Sequence, residues 1–128
     1  MKALVIDDRA NNRSIIVAIL SAVGIAAREA DGACAGIELL EVERFDLVVM
    51  DIRMPDVDGF EAIRRIRCMT GESGRVPIIV VTADVTDDCV ARATAAGADS
   101  LIHKPLSLAV FLNAVAQGIS GSQEMLLA

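Results

Sequence analysis

The chain of 128 residues has no tryptophan, no tyrosine and three phenylalanines. A core without aromatic bulk must fill from Ala, Val, Ile and Leu, as a parallel sheet covered by helices does. Cysteine is scarce. Cys34, Cys68 and Cys89 are odd in number and far apart, with no CxxC pair and no Cys/His cluster. That pattern excludes a zinc site or a disulfide framework. The expectation is three free thiols, buried as packing residues in a reducing compartment, hence a cytoplasmic protein. Basic residues are outnumbered, 12 to 18, for a formal net charge of −6, and no basic run offsets it. Direct binding to nucleic-acid phosphates is therefore excluded, and a bound cation or a basic partner surface fits better. Long apolar runs are absent too. "MKALVIDD" is too short for a signal peptide, and nothing later spans a membrane without a charge.

What remains is one domain's length of alternating signals. Ala3–Ile6 reads as a strand, and Ile15, Ile16, Ile19, Leu20 and Val23 recur at helical spacing until Gly24. A weaker strand at 25–29 precedes an Asp-Gly turn and a helix over 33–43. Leu47–Met50 is the third strand, and Asp58 caps a helix over 59–69. After a loop at 71–75, Ile78–Val81 is continuous and β-branched, so it is expected to be central. Thr86 or Asp87 caps an Ala-rich helix that Gly97 ends. That helix buries little large apolar surface and is expected to be the loosest. Ser100–His103 is the fifth strand. Ser107 caps a last helix with an apolar stripe of Leu108, Phe111, Leu112, Val115 and Ile119. The domain is expected over 1–119, with 120–128 a frayed tail or the start of a linker.

Five βα units imply an open parallel sheet with helices on both faces. Sites in such sheets lie at the carboxyl ends of the strands. There the chain places Asp7-Asp8, Asp51, Thr82 followed by Ala83 and Asp84, and His103-Lys104-Pro105. Acids held close repel one another unless a cation sits among them. Oxygen ligands suit Mg²⁺, with Mn²⁺ admissible, and Mg²⁺ favours phosphate-bearing partners. Lys104 and the Thr82 hydroxyl are donors suited to phosphoryl oxygens. The set reads as a phosphoryl-transfer site with a carboxylate nucleophile. Taken alone, Asp7-Asp8 would be a helix-capping pair, Thr82 a strand residue and Lys104 a solvated cation; their joint placement decides otherwise. Asp56 and Asp58 are explained by turn and cap roles. His103 is the only histidine, but it sits in a strand rather than on an exposed helical face, so a structural role is expected.

The segments "VIDD", "VVMDIRMPDVDGFEAI", "IIVVTA", "AGAD" and "HKP", in that order over about residues 2–119, resemble a receiver domain of the two-component response-regulator family. The resemblance implies an α/β, flavodoxin-like (βα)5 fold with strand order 2-1-3-4-5. It implies that Asp51 accepts a phosphoryl group from a histidine kinase or a histidine phosphotransfer protein. Asp8 matches the direct metal ligand, Asp7 the acid acting through a metal-bound water, and Arg53 the position that lends its backbone carbonyl. Thr82 matches the switch hydroxyl, Lys104 the phosphoryl-pairing lysine, and Pro105 the residue that often follows through a cis bond. A protein partner would read the outcome on the face of helix 4, strand 5 and helix 5.

Three features depart from the usual pattern or refine it. Receivers usually carry Tyr or Phe three residues before the lysine, where this chain has Leu101, so the signal is expected to travel through the β4–α4 loop and helix 4. Arg53 and Asp84 are expected to pair across the entrance and slow attack of water. Asn12-Arg13 resembles a pair found in receivers of hybrid histidine kinases, whereas a start one residue before the first strand points to a free-standing or N-terminal domain. The rival from another class is an aspartyl phosphohydrolase. It would want an acid where Arg53 stands, and a substrate cap. A pseudo-receiver interaction module would lack the metal acids or the lysine, which this chain has.

Overall fold

The fold is taken from a computed structural model, which describes residues 1–55, 57–83 and 86–127, with side chains described as far as 119. Its elements alternate: β1 (Lys2–Ile6), α1 (Ala10–Ala22), β2 (Ala26–Ala30), α2 (Ala33–Val42), β3 (Leu47–Met50), α3 (Gly59–Arg67), a 3₁₀ turn (Gly71–Arg75), β4 (Ile78–Thr82), α4 (Asp87–Ala96), β5 (Ser100–His103) and α5 (Leu108–Leu127). The five strands are all parallel, in the order β2-β1-β3-β4-β5. This is the flavodoxin-like architecture expected from the sequence.

Strand side chains alternate between two helical layers. Leu4, Ile6, Val48, Met50, Ile78 and Val80 pack under α2, α3 and α4. Ala3, Val5, Leu47, Val49, Ile79 and Val81 pack under α1 and α5, with Phe111 filling the centre. All residues of β3 and β4 are buried, so a continuous apolar run was the correct signature of a two-sided strand. α4 contributes only Cys89, Ala93 and Ala96 to the core.

Helix ends follow their capping chemistry. The Asp58 carboxylate accepts from Phe60 N at 3.0 Å and starts α3. Thr86, rather than Asp87, caps α4 by accepting from Cys89 N at 3.2 Å. Gly97 closes α4 with φ +117°, a left-handed conformation that only glycine adopts without strain. Gly59 is needed for a different reason: a Cβ there would lie 2.4 Å from the Ile52 backbone, against which α3 begins.

Several side chains fall differently from their expected places. Ile16 and Leu20 of α1 are buried, but Ile15 and Val23 are exposed, because the inward stripe is narrower than the run of apolar residues. Leu108 is 56% exposed and Ala114 takes an inward place on α5 instead. The loop at 71–75 is a 3₁₀ turn. α5 continues in backbone to Leu127, through the stretch expected to fray; Gln123 to Leu127 are good helix formers. Of the cysteines only Cys89 is buried. Cys34 and Cys68 are exposed, on the outward side of α2 and just past the end of α3, so they are not packing residues.

At the amino-terminal edge of the sheet one guanidinium ties four segments together. Arg67 donates from Nε to Gly97 O (2.9 Å), from Nη1 to Gly74 O (3.1 Å) and Val76 O (2.7 Å), and from Nη2 to Asp99 Oδ2 (2.9 Å). Asp99 Oδ2 also accepts from Ile78 N at 2.8 Å, where β4 begins. Arg67→Ala leaves three carbonyls and a carboxylate without this donor. Urea unfolding should show a loss of about 2–4 kcal/mol, and Arg67→Lys should recover less than half of it.

Candidate functional site

The strand registers place four chain ends on one edge. Ile6 pairs with Met50, Met50 with Val80, and Thr82 with His103. Asp7, Asp51, Ala83 and Lys104 directly follow the last residues of β1, β3, β4 and β5. Asp51 N donates to Ile6 O at 3.2 Å and Lys104 N to Thr82 O at 2.9 Å, so the ladder holds both residues by their backbones as well. The Lys104–Pro105 peptide is cis.

A cavity of about 820 Å³ opens above this edge. Asp8, Asn12, Asp51, Arg53, Thr82 and Lys104 belong to its wall, and it continues toward Phe60 and Arg92 between α3 and α4. Asp51 Oδ1 accepts from Arg53 N at 3.1 Å, and Oδ2 accepts from Lys104 Nζ at 2.9 Å. Lys104 Nζ also lies 3.9 Å from Asp7 Oδ2. Thr82 is 1% exposed and Asp7 is 2% exposed, the two buried polar residues of the described core.

Asp7 is no helix cap. Its Oδ1 accepts from Arg9 N at 2.9 Å, and Arg9, the N-cap of α1, makes no side-chain cap bond. Burial pushes the Asp7 carboxyl above its ordinary range, and the nearby Asp51 charge adds to this. The Arg9 N–H, Lys104 and the Asn12 side chain work in the opposite direction. A carboxylate kept at a dry edge in this state is suited to a cation.

Three of the four positions expected at a metal site, Asp8, Asp51 and Arg53, share one cavity wall, while Asp7 is buried behind them. Among the described residues no three Asp, Glu, His or Cys side chains cluster tightly enough to cage an ion by themselves. That donor set fits Mg²⁺, which binds through one or two carboxylates and keeps several waters. Asp8 and Asp51 would supply side-chain oxygens and Arg53 its carbonyl.

Other expectations resolve as follows. Leu101 pairs with Val80 in register and is partly buried against the α2–α4 side of the core. His103 is exposed at the end of β5, and no role in the cavity falls to it. Asp84 and Asp56 lie outside the described residues. Arg92 was not singled out in the sequence. It belongs to the cavity wall, its guanidinium 4.2 Å from the Phe60 ring centroid and 3.9 Å from Asp58 Oδ2. No local motif marks it, since the contact joins α4 to α3 across 32 positions of sequence.

The chain is similar to known receiver domains in sequence and in fold. The sequence model of the response regulator receiver domain matches residues 3–116. The sensory/regulatory protein RpfC of Xanthomonas campestris pv. campestris is 30% identical over 117 residues, 91% of this chain and 16% of its own length. The CAI-1 autoinducer sensor kinase/phosphatase CqsS of Vibrio cholerae is 35% identical over 115 residues, 90% of this chain and 17% of its own. The chain thus spans about a sixth of these relatives. Among solved structures, a response regulator receiver protein from Pseudomonas putida superposes with a TM-score of 0.83 at 32% identity, covering 91% of this chain and 95% of that one. The receiver domain of a sensor histidine kinase from Pseudomonas aeruginosa superposes with a TM-score of 0.84 at 29% identity, covering 93% and 97%. That structure has a magnesium ion coordinated in its active-site cleft.

The raised Asp7 pKa carries a sign that can be measured. In metal-free buffer at neutral pH the charged carboxylate weakens the fold, and this cost disappears as pH falls below the ordinary aspartate value. Asp7→Asn should therefore raise the melting temperature at pH 7. The gain should vanish in scanning calorimetry below about pH 4.

Proposed function

The chain belongs to the response regulator receiver domain family, and from that premise we propose that Asp51 is the phosphoacceptor of a Mg²⁺-dependent signalling switch in a two-component system or phosphorelay. The observation that carries this reading is the Lys104–Asp51 contact of 2.9 Å at the wall of a polar cavity, with Asp8 and Thr82 on the same wall.

The donor is a phosphohistidine on a histidine kinase or a histidine phosphotransfer protein. An Asp51 oxygen attacks phosphorus, the phosphorus–nitrogen bond breaks, and the imidazole leaves with the electron pair. The product is an acyl phosphate on Asp51. Lys104 already neutralises the carboxylate and can turn to a phosphoryl oxygen as charge builds there. A bound Mg²⁺ supplies positive charge for the phosphoryl oxygens and offsets the repulsion among the acids. Asp8, Asp51 and the Arg53 carbonyl would hold it, with Asp7 acting through a bound water.

Thr82 is the switch hydroxyl. It ends β4 beside Ala83, so its movement toward the phosphoryl group pulls on the β4–α4 connection. α4 is packed only through small residues, and Leu101 offers no ring to swing, so α4 itself carries the signal. Phosphorylation shifts the balance between two conformations of this segment. The face of α4, β5 and α5 presents Val90, Leu108 and Val110 to solvent and would meet a protein partner. Pro105 sets the start of the β5–α5 connection. The setting is cytoplasmic, consistent with the finding that no helix among the described residues is long and apolar enough to cross a membrane. The hydrolase alternative is disfavoured because Arg53 stands where its general acid would be.

Incubation with a small acyl-phosphate donor and Mg²⁺ should label the wild-type chain, and Asp51→Ala should abolish the label. A label of full strength on Asp51→Ala would refute the assignment. Thr82→Ala should still be labelled but should lose most of the phosphorylation-dependent change in amide exchange across residues 87–96.

A further inference from the structure

The Asn12-Arg13 pair has no task in the phosphoryl-transfer step described above. Its geometry gives it one. The Arg13 side chain is 17% exposed. Its guanidinium serves two acceptors on different strands: Nη1 donates to the Asp7 carbonyl oxygen at 2.7 Å, and Nε donates to Glu29 Oε1 at 3.1 Å. Asp7 directly follows β1, and Glu29 lies on β2, the neighbouring edge strand.

Asp7 is held at each of its polar groups. Its N–H donates to Ala30 O at 3.1 Å. Its carbonyl accepts from Arg13, and its Oδ1 accepts from Arg9 N at 2.9 Å. Asn12, at the cavity wall, helps to favour the charged form of the same carboxyl group. The carbonyl held by Arg13 belongs to the peptide that joins Asp7 to Asp8. A peptide is planar, so fixing its oxygen also fixes Asp8 N and the direction in which Asp8 leaves the strand. The two neighbouring acids then part: Asp7 is buried, and Asp8 is exposed at the cavity wall.

We infer that Arg13 is a positioning residue for the cation site. Its guanidinium sets the plane of the Asp7–Asp8 peptide and so aims the Asp8 carboxylate, while Glu29 holds the guanidinium. This rests on the reading that Asp8 takes a divalent cation. A planar guanidinium can reach two acceptors in fixed, divergent directions. An ammonium cannot reproduce that fork, so lysine is a partial substitute only. Groups that orient metal ligands through hydrogen bonds typically change metal affinity by about 10–100-fold when removed.

The test is Mn²⁺ binding to the intact chain, read from the free-ion signal in electron paramagnetic resonance, with no phosphodonor present. Arg13→Ala should weaken binding by about 10-fold or more. Arg13→Lys should fall between it and wild type, and Glu29→Gln should weaken binding by a smaller factor than Arg13→Ala. Arg67→Ala, which loosens the opposite edge of the sheet, should keep the wild-type affinity, and thermal melts identify the folded fraction of each variant. Binding by Arg13→Ala within about twofold of wild type would overturn the inference alone. So would an equal loss in Arg67→Ala, which would reduce the effect to stability. A wild-type chain that binds no Mn²⁺ would overturn the metal reading together with it.

Discussion

A single ammonium, Lys104 Nζ, lies 2.9 Å from Asp51 Oδ2 and 3.9 Å from Asp7 Oδ2 at the dry end of an aliphatic sheet. Without it, two carboxylates would share this edge with no cation between them. With it, Asp51 is paired and aimed, while Asp7 is left with a pKa raised chiefly by burial. The rest of the fold serves to keep these groups level. Parallel register brings β1, β3, β4 and β5 to a common edge, and backbone bonds from Asp51 N to Ile6 O and from Lys104 N to Thr82 O fix the two reacting partners to the ladder. A shift of one residue in β3 would turn Asp51 to the other face and break the pair.

The two edges of the sheet contrast in their electrostatics. At the amino-terminal edge Arg67 satisfies carbonyls and the Asp99 carboxylate in a closed set of bonds, which gives rigidity and leaves little donor capacity for a ligand. At the carboxyl edge the acids and Lys104 form an open set around a cavity. One edge is closed by its own hydrogen bonds, and the other opens onto the cavity. Bonding that stabilises the fold is therefore concentrated at the edge away from the cavity.

α4 joins these two themes. Its inward residues are Cys89, Ala93 and Ala96, small side chains that bury little area and grip weakly. Arg92 adds a guanidinium over the Phe60 ring, close to Asp58, which itself caps α3. The helix is thus held partly by a polar contact that lines the same cavity as Asp51. Under the proposed function, new negative charge in that cavity would act on a helix with few apolar contacts to oppose its movement, which is the physical reason for proposing the response there in a chain that has Leu101 instead of an aromatic ring.

The sequence alone determined the strands, their parallel arrangement and the acids at their ends. Period and composition are local properties, and an apolar run such as Val48-Val49-Met50 before Asp51 can mean little else in a βα chain. It also marked the Asp58 cap and Gly97, because capping and positive φ are decided within a few residues. It did not determine which apolar residues face inward: Ile15, Val23 and Leu108 fit the helical period yet lie in solvent, since the width of the buried stripe is set by the sheet beneath. Cys34 and Cys68 are exposed for the same reason. Only the tertiary structure joined Arg13 to the Asp7 carbonyl and Glu29, and Arg92 to Phe60, because such contacts depend on how strands and helices meet across long stretches of chain. Chain order decided which groups reach the edge; packing decided which of them touch.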